Sequence, residues 1–351
     1  MLDNYFNYVD VSEFRHWLEW ADNFLIATHK SPDGDAVGSS LAMALYLESK
    51  GKNVTVVLPD NAPEFLTWMT GYDKVLIYER DSEQVDALAA TFDVICCLDF
   101  NSPDRVGKMS QLLKDSRSKM IMIDHHIDPS PFCEQILSRP EASSTSELVF
   151  HLICALGDWG AVTRQMAECI CAGMITDTGG FTYNSNSSQF FFIISQLIEK
   201  NIDKDLIFRR IFHNYSESRL RLTGLVLSQK MVIFKECHAA LITLTRDEQN
   251  ELHCKKGDTE GIVNMPLQMS DIRLSAFLRE DTAKDIIRIS LRSVDEVPCN
   301  RFCEEFFGGG GHKNAAGGEF SGTLEECVSI FSAGLEKWRH SSDPAIRQLF
   351  R

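Results

Sequence analysis

Carboxylate and imidazole side chains are concentrated in four short polar clusters of this sequence. The clusters are His29-Lys30-Ser31-Pro32-Asp33-Gly34-Asp35, Asp99-Phe100-Asn101, Asp124-His125-His126 and Thr176-Asp177-Thr178-Gly179-Gly180. Several carboxylates packed together repel one another strongly unless cations neutralise them. Ligand sets of Asp and His without a thiolate favour Mn²⁺ or Mg²⁺ over a closed zinc site. The clusters therefore predict a metal site, provided that the fold brings them together.

A carboxylate shared between two ions would make this a two-metal site, with the ions about 3.5–4 Å apart. Such a site activates a water molecule and holds a phosphoryl group for in-line attack. Taken singly, each Asp could be a helix cap or a turn residue, and His125-His126 could be a surface turn. Caps do not readily explain why all four clusters follow apolar segments, so the set favours the metal interpretation.

The apolar segments before the clusters are the elements that must position them. The predicted strands are 24–28, 54–58, 94–98 and 120–123, and the predicted helices are 11–21, 36–51 and 104–114. Short apolar strands separated by helices indicate an α/β domain with a mostly parallel sheet and helices on both faces. Ligands of such sheets bind beyond the carboxyl ends of the strands. Three of the clusters follow predicted strands, so we expect them to converge there.

The remainder of the chain predicts a helical region and then a second, smaller α/β domain. Residues 143–199 read as mostly helical, with Ser143 and Ser144 as candidate caps, and 201–214 reads as a connecting helix. The strands predicted beyond this point are 231–234, 239–243, 272–279 and 286–291, and the helices are 247–252 and 323–338. We predict a first domain over 1–199, which contains the four polar clusters, a helical linker over 200–219 and a second domain over 220–351.

Composition narrows the class of protein. The 351 residues are 44% hydrophobic, which is typical of a globular protein of about two domains. We expect neither a membrane-spanning segment nor a signal peptide. The 11 cysteines are scattered, without a CxxC pair, which favours free thiols and a cytoplasmic location. A net charge of -15 argues against binding long duplex nucleic acid, but it permits a small anionic substrate if metals are bound.

Taken together, the motifs resemble those of the DHH phosphoesterase superfamily over nearly the whole chain. Asp124-His125-His126 matches the triplet after which the family is named. The other matches are His29, Asp33 and Asp35 to the first motif, Asp99 to the second, and Asp177 to the fourth. The segment Gly308-Gly309-Gly310-Gly311-His312-Lys313-Asn314-Ala315-Ala316-Gly317 resembles the glycine-histidine motif of the DHH-associated domain.

This resemblance implies a set of ligands for two Mn²⁺ ions, with Mg²⁺ as an alternative. The implied ligands are His29, Asp33 and Asp99 for one ion, and Asp35, Asp99, His125 and Asp177 for the other, with Asp99 bridging. His126 would face the substrate or support the site, and Asp124 would orient its neighbours. A hydroxide between the metals would attack the phosphorus.

The glycine-histidine motif and one arginine are the candidate substrate-binding residues. Glycines such as Gly309, Gly310 and Gly311 let a backbone approach a phosphate closely, and His312 adds a donor. Arg292 matches a phosphate-binding arginine of similar proteins, and its guanidinium suits bidentate contact. The alternatives are a flexible loop for the glycines and an exposed strand residue for Arg292. For Arg105, which recurs in similar proteins, we expect a structural ion pair.

Within the superfamily, the chain resembles the compact NrnA-type oligoribonucleases and pAp phosphatases. We expect hydrolysis of short 5′-phosphorylated oligonucleotides (nanoRNA) and of 3′-phosphoadenosine 5′-phosphate (pAp). The alternatives are hydrolysis of linear or cyclic dinucleotides, of polyphosphate or of pyrophosphate. A non-catalytic nucleotide-binding protein is a further alternative, although every expected ligand position holds a competent residue. The apolar stretches 190–197 and 207–212 are candidates for core packing or for a homodimer interface.

Overall fold

The computed structural model describes residues 5–255 and 257–350, which divide into two compact units. The boundary between the units lies between Asn214 and Tyr215. The segment predicted as a linker, 200–219, contains the helix Lys204–Phe212 on one side of this boundary and the start of the helix Glu217–Leu225 on the other. None of the described helices is long and apolar enough to cross a lipid bilayer.

The first unit is built on a parallel sheet of six described strands. They are β1 (Asn23–Ala27), β2 (Asn53–Leu58), β3 (Leu76–Ile77), β4 (Val94–Leu98), β5 (Lys119–Asp124) and β6 (Gln135–Ser138). Their order is β3-β2-β1-β4-β5-β6, and every neighbouring pair is parallel. The prediction of a parallel sheet is confirmed. Since β1, β4 and β5 are neighbours, the polar residues that follow them meet at one edge.

Helices cover both faces of this sheet. They are α1 (Tyr8–Trp20), α2 (Gly34–Ser49), α3 (Tyr78–Leu88), α4 (Ser110–Asp115), α5 (Thr145–Ala155), α6 (Arg164–Asp177), α7 (Ser188–Glu199) and α8 (Lys204–Phe212). Successive residues of a strand point to opposite faces, so Phe24 and Ile26 join one buried cluster. Leu25 and Ala27 join another, which includes residues of α3 and α4. Two cores on opposite faces explain why the central strand β4 is apolar and buried along its whole length.

The apolar stretches considered for a dimer interface contribute mainly to the core. In α7, Phe190 and Leu197 are buried, and in α8, Ile207 and Ile211 are buried. Phe191 and Phe192 of α7 are about half exposed, at 52% and 48%.

One predicted element of this unit is wrong. The sequence predicts a single helix over 104–114, whereas the structure has the 3-10 segment Pro103–Met109 followed by α4. Gly107 interrupts the helical backbone with φ +57° and ψ -127°, a conformation that is open to glycine because it has no Cβ. The elements β3, α3 and β6 were not predicted. β3 has two residues and β6 has four, which is too short for a period-2 pattern to show.

The second unit is the predicted smaller α/β domain, with a mixed sheet. Its described strands are β7 (Met231–Phe234), β8 (Ala239–Leu244), β9 (Leu274–Glu280), β10 (Ile287–Ser293), β11 (Gly310–His312) and β12 (Ala315–Phe320), in the order β11-β12-β10-β9-β8-β7. Its helices are α9 (Glu217–Leu225), α10 (Arg246–Glu251), α11 (Cys299–Phe307), α12 (Leu324–Arg339) and α13 (Pro344–Arg347). β8 and β9 are parallel, and the other pairs are antiparallel. Alternate residues of β10 and β12 pack with α11 and α12 in one core.

A close helix contact sets the position of two polar clusters. α2 begins directly after Asp33, and α6 ends at Asp177. The two helices meet at Gly38, where an added Cβ would lie 2.6 Å from the carbonyl oxygen of Cys169 and 3.0 Å from the backbone nitrogen of Gly173. These neighbours are backbone atoms, which cannot move without displacing a helix. The missing Cβ therefore lets the two clusters approach each other.

We predict that Gly38→Ala lowers the free energy of unfolding by about 1–3 kcal/mol, or more, because its methyl group overpacks this contact. Urea unfolding at equilibrium measures the loss. Gly160→Ala is the matched control, because a Cβ there meets no atom within 4 Å, and we expect a change within about 0.5 kcal/mol. Equal stabilities of the two variants would contradict the role assigned to Gly38.

Candidate active site

The side chains predicted as metal ligands converge at the carboxyl edge of the first unit's sheet. Three groups have their ligand atoms within 4.8 Å of one another: His29 with Asp33 and Asp99, Asp35 with His125 and Asp177, and Asp99 with His125 and His126. The first group equals the set predicted for one ion. The second group, with Asp99 added, equals the set predicted for the other.

Asp99 lies at the centre of these groups, one residue beyond the end of β4. Its Oδ2 lies 3.4 Å from Nε2 of His29, and its Oδ1 lies 3.6 Å from Nε2 of His125. The residue is buried, and its backbone is left-handed at φ +65°. That conformation costs a non-glycine residue about 1–2 kcal/mol, so the surrounding structure must impose it. One carboxylate thus presents a different oxygen to each of two ligand groups.

Asp33 and Asp35 are positioned by the beginnings of two helices. Asp33 is the N-cap of α2, and its Oδ1 accepts hydrogen bonds from the backbone nitrogens of Asp35 (3.0 Å) and Ala36 (3.1 Å). Asp35 is fully buried, and its carboxylate accepts the backbone N–H groups of Thr145 (2.6 Å) and Ser146 (2.8 Å) at the start of α5. Sequence reasoning missed these last two residues, because it considers only Ser143 and Ser144 of this hydroxyl-rich run, as candidate helix caps.

The Asp124-His125-His126 triplet divides its members between two tasks. His125 joins the cluster, with its Nε2 3.3 Å from Oδ2 of Asp177. His126 places its Nδ1 2.7 Å from Oδ1 of Asp124, which is fully buried. This contact determines which nitrogen of His126 carries a proton. Asp124 therefore orients a neighbour, whereas His125 presents a ligand atom.

The electrostatics of the cluster favour a bound cation. Burial, followed by the charges of Asp99 and Asp177, raises the pKa of Asp35 well above its usual range. Burial also raises the pKa of Asp177 to about 6. Burial alone would lower the pKa of His29, but its hydrogen bond with Asp99 and the charge of that residue raise it to about 9. The site thus holds negative charge at an energetic cost, and its oxygen and imidazole donors fit a hard divalent cation.

Arg105 does not form the structural ion pair that we expected. Its side chain is exposed, and no described carboxylate lies within salt-bridge distance of it. The hydrogen bond with Asp124 raises the pKa of His126, and the positive charge of Arg105 opposes this effect. The guanidinium therefore lies near enough to His126 to act on it electrostatically.

Arg292 and His312 lie in the same row of the second unit's sheet. Ala315 of β12 pairs with His312 on one side and with Arg292 on the other. Residues directly opposite one another across strands share a face, so both side chains point to the face opposite α11 and α12. They are two strand spacings apart, which is about 10 Å. The structure thus brings together two residues that the sequence singled out separately.

The glycine run is an ordered hairpin strand, and part of its composition serves the fold. Gly308 ends α11 in a left-handed conformation with φ +64°. A Cβ at Gly309 would lie 2.4 Å from the carbonyl oxygen of Gly317, and a Cβ at Gly311 would lie 2.4 Å from that of Ala315. These glycines permit close pairing of β11 with β12, whereas the Cα of Gly310 faces open space.

We predict that Asp124→Asn lowers the pKa of His126 in the metal-free protein towards its ordinary value of 6.5. The main cause of the raised pKa is the hydrogen bond to the Asp124 carboxylate, and an amide carries no charge to favour the imidazolium. An NMR titration of the His126 ring measures the effect, with His340, whose side chain is 76% exposed, as an internal reference. An unchanged pKa of His126 would contradict the assigned contact.

Comparison with known proteins gives consistent results for both units. Residues 23–174 match the profile of the DHH family, N-terminal domain, and residues 238–338 match the DHHA1 domain. The crystal structure of an exopolyphosphatase-related protein from Bacteroides fragilis is 51% identical, with a TM-score of 0.88 over 95% of this chain and 97% of that chain. The bifunctional oligoribonuclease and PAP phosphatase NrnA of Thermus thermophilus is 28% identical over 85% of this chain and 84% of its own length. The cyclic-di-AMP phosphodiesterase GdpP of Bacillus subtilis is 24% identical over 92% of this chain and 48% of its own length.

The two profile matches fall on the two structural units. The first match contains the motif residues His29, Asp33, Asp35 and Asp99 and the Asp124-His125-His126 triplet. The second match contains Arg292 and the glycine-histidine run. Identity of 51% to a solved chain over nearly the full length shows common ancestry and not only a common fold. The chain belongs to the DHH family of phosphoesterases, and it is an enzyme with an N-terminal DHH domain and a C-terminal DHHA1 domain.

Proposed function

We propose that this enzyme is a Mn²⁺-dependent phosphoesterase that hydrolyses short 5′-phosphorylated oligonucleotides and pAp. The observation that carries the proposal is the pair of ligand groups that meet at Asp99. The similarity to the NrnA protein of Thermus thermophilus over most of both chains supports the choice of substrate. The two domains of the family account for the same two structural units.

The donor atoms at the carboxyl edge suit two divalent cations, with Mn²⁺ as the proposed metal and Mg²⁺ as the alternative. His29, Asp33 and Asp99 would hold one ion, and the other ligand set is Asp35, Asp99, His125 and Asp177. When bound, such ions polarise a phosphoryl group and supply an activated water. Cations would also relieve the repulsion between Asp35, Asp99 and Asp177, which burial intensifies.

The remaining residues of the site would handle the substrate. Asp124 engages Nδ1 of His126, which leaves Nε2 to hydrogen-bond a phosphoryl oxygen or to donate a proton to the leaving oxygen. Asp124 itself is fully buried, and its Oδ1 lies 2.7 Å from Nδ1 of His126. We therefore assign Asp99, His125 and His126 to the reacting centre and give Asp124 the role of orienting His126.

The second unit would bind the substrate's terminal phosphate. Arg292 and His312 share one face of the sheet, and Gly310 and Gly311 directly precede His312 in β11. The backbone N–H of Gly309, the third glycine proposed here, donates to the carbonyl oxygen of Cys303 at 3.3 Å. Arginine and backbone N–H groups are suited to phosphate oxygens. The net charge of -15 disfavours long polyanions, which agrees with a preference for short substrates.

Phosphoanhydride hydrolysis is the second candidate function. The relative that is 51% identical carries the description exopolyphosphatase-related, and pyrophosphate or polyphosphate would also suit a two-cation site. Hydrolysis of linear or cyclic dinucleotides is a third candidate, and the similarity to the cyclic-di-AMP phosphodiesterase GdpP supports the cyclic substrates. The substrates differ in whether they contain a base and a free terminal phosphate, so direct competition separates these functions.

A substrate panel tests the proposal with Mn²⁺ and the full-length chain. The panel contains pAp, a linear dinucleotide, a five-nucleotide RNA, a cyclic dinucleotide, pyrophosphate and polyphosphate. We expect the highest kcat/KM for pAp and the short RNAs. Asp99→Ala should lower it by at least about 100-fold, because this change removes a ligand from both groups. Asp104→Ala, at a carboxylate whose side chain is 89% exposed, should leave it unchanged.

Two results of this panel would reject the proposal. Faster turnover of pyrophosphate or polyphosphate than of any nucleotide would replace nucleotide hydrolysis by the second candidate. Full activity of Asp99→Ala with Mn²⁺ would reject the metal centre.

Arg292→Gln tests the second unit's role separately. We expect the KM for pAp to rise at least tenfold, since a hydrogen bond to a charged group contributes about 1.5–3 kcal/mol. Arg288→Gln is the matched control, because Arg288 lies on the same face of β10 and is already paired with Asp281 and Glu319. Arg288→Gln should lower the stability of the protein without changing its KM for pAp. Equal KM values for Arg292→Gln and the unaltered enzyme would contradict phosphate binding by Arg292.

A further inference from the structure

Thr145 contacts two of the candidate ligands from outside the ligand groups. Its backbone N–H donates to Oδ2 of Asp35 at 2.6 Å. Its hydroxyl donates to Oδ1 of Asp99 at 3.0 Å. Thr145 has no solvent exposure, so neither bond competes with water. Thr145, at the start of α5, therefore hydrogen-bonds both the carboxylate of Asp99, which follows β4, and the carboxylate of Asp35, which belongs to α2.

Helix capping does not explain the hydroxyl of Thr145. The N-cap of α5 is Ser144, whose side chain accepts the backbone N–H of Glu147 at 3.0 Å. Glu147 stabilises the turn before α5, because its Oε2 accepts the backbone N–H of Ser143 at 2.8 Å. The Thr145 hydroxyl thus does not cap its own helix, and among the described residues its hydrogen-bond partner is Asp99.

We propose that Thr145 is a positioning residue that fixes the carboxylate of Asp99, together with that of Asp35, in the orientation that binds the metal ions. The inference rests on the proposed metal centre. Asp99 must present Oδ2 to the His29 group and Oδ1 to the His125 group. A carboxylate can rotate about its Cβ–Cγ bond, and the Thr145 hydroxyl opposes that rotation by holding Oδ1. Each oxygen has two lone pairs, so the bond leaves one lone pair of Oδ1 for a cation.

The left-handed backbone of Asp99 must be held by contacts with its surroundings, and the bond from the Thr145 hydroxyl is one of them. The strained φ of +65° is kept only if contacts outweigh its cost. Repulsion from Asp35 and Asp177 acts on the same side chain, because all three carboxylates lie around His125. A hydroxyl donor from α5 supports the orientation even before a cation binds. Partners of ligating groups typically affect metal affinity or activity by 10–100-fold when they are removed.

The test is a calorimetric titration of the metal-stripped, full-length chain with Mn²⁺. Thr145→Val keeps the shape of the side chain and removes the hydroxyl, and we expect the dissociation constant to rise about tenfold or more. Thr145→Ser restores a hydroxyl at the same position and should bring the constant back to within about threefold of the unaltered chain. Circular dichroism establishes that each variant is folded, and Thr145→Ala replaces Thr145→Val in the comparison if the latter does not fold.

Thr163→Val is the matched control. The hydroxyl oxygen of Thr163 accepts the backbone N–H of Met166 at 3.3 Å as the N-cap of α6, so the same substitution removes a purely structural bond. We expect a lower melting temperature and an unchanged affinity for Mn²⁺. If Thr145→Val binds Mn²⁺ as tightly as the unaltered chain, the positioning role is overturned while the metal centre stands. If the unaltered chain binds neither Mn²⁺ nor Mg²⁺, the metal centre is overturned, and the role of Thr145 with it.

Discussion

The burial of several carboxylates in one place is the constraint on which the rest of this structure depends. Asp35 is fully buried and Asp99 nearly so, and Asp177 lies within reach of the same histidine. Charged groups removed from water are costly unless they are paired or hydrogen-bonded. Burial and mutual repulsion raise the pKa of Asp35, which is the electrostatic expression of that cost. The fold must therefore supply hydrogen-bond donors to these carboxylates and leave space between them for cations.

Three features of the first unit meet this constraint. The neighbouring ends of β1, β4 and β5 deliver polar side chains to one edge. The glycine contact between α2 and α6 lets Asp35 and Asp177 approach a common histidine. The first turn of α5 donates two backbone N–H groups and one hydroxyl to buried carboxylates. Donors at a helix N-terminus are well suited to this task, because the helix dipole favours negative charge there.

Periodicity predicted much of the fold, because the central strands are short and continuously apolar. The segments 24–28, 54–58, 94–98 and 120–123 are all strands of the parallel sheet, within a residue at each end. The sequence pattern did not predict elements that are short or rich in glycine. β3 has two residues, and the hairpin of β11 and β12 contains the glycine run, which carries no alternation of side chains to read. Gly107 interrupts the segment 104–114, which the sequence predicts as a single helix.

The amino-acid sequence alone specified the chemistry, because residue types and the motifs of a family are local properties of the chain. It named the Asp and His residues that now lie together, and it named Arg292 and His312. The tertiary structure determined which residues contact these side chains. Thr145 reaches Asp35 and Asp99 across 110 and 46 positions of sequence, and Arg292 meets the row of His312 only through the pairing of β12. Such contacts depend on how strands and helices pack, and local spacing contains no information about that packing.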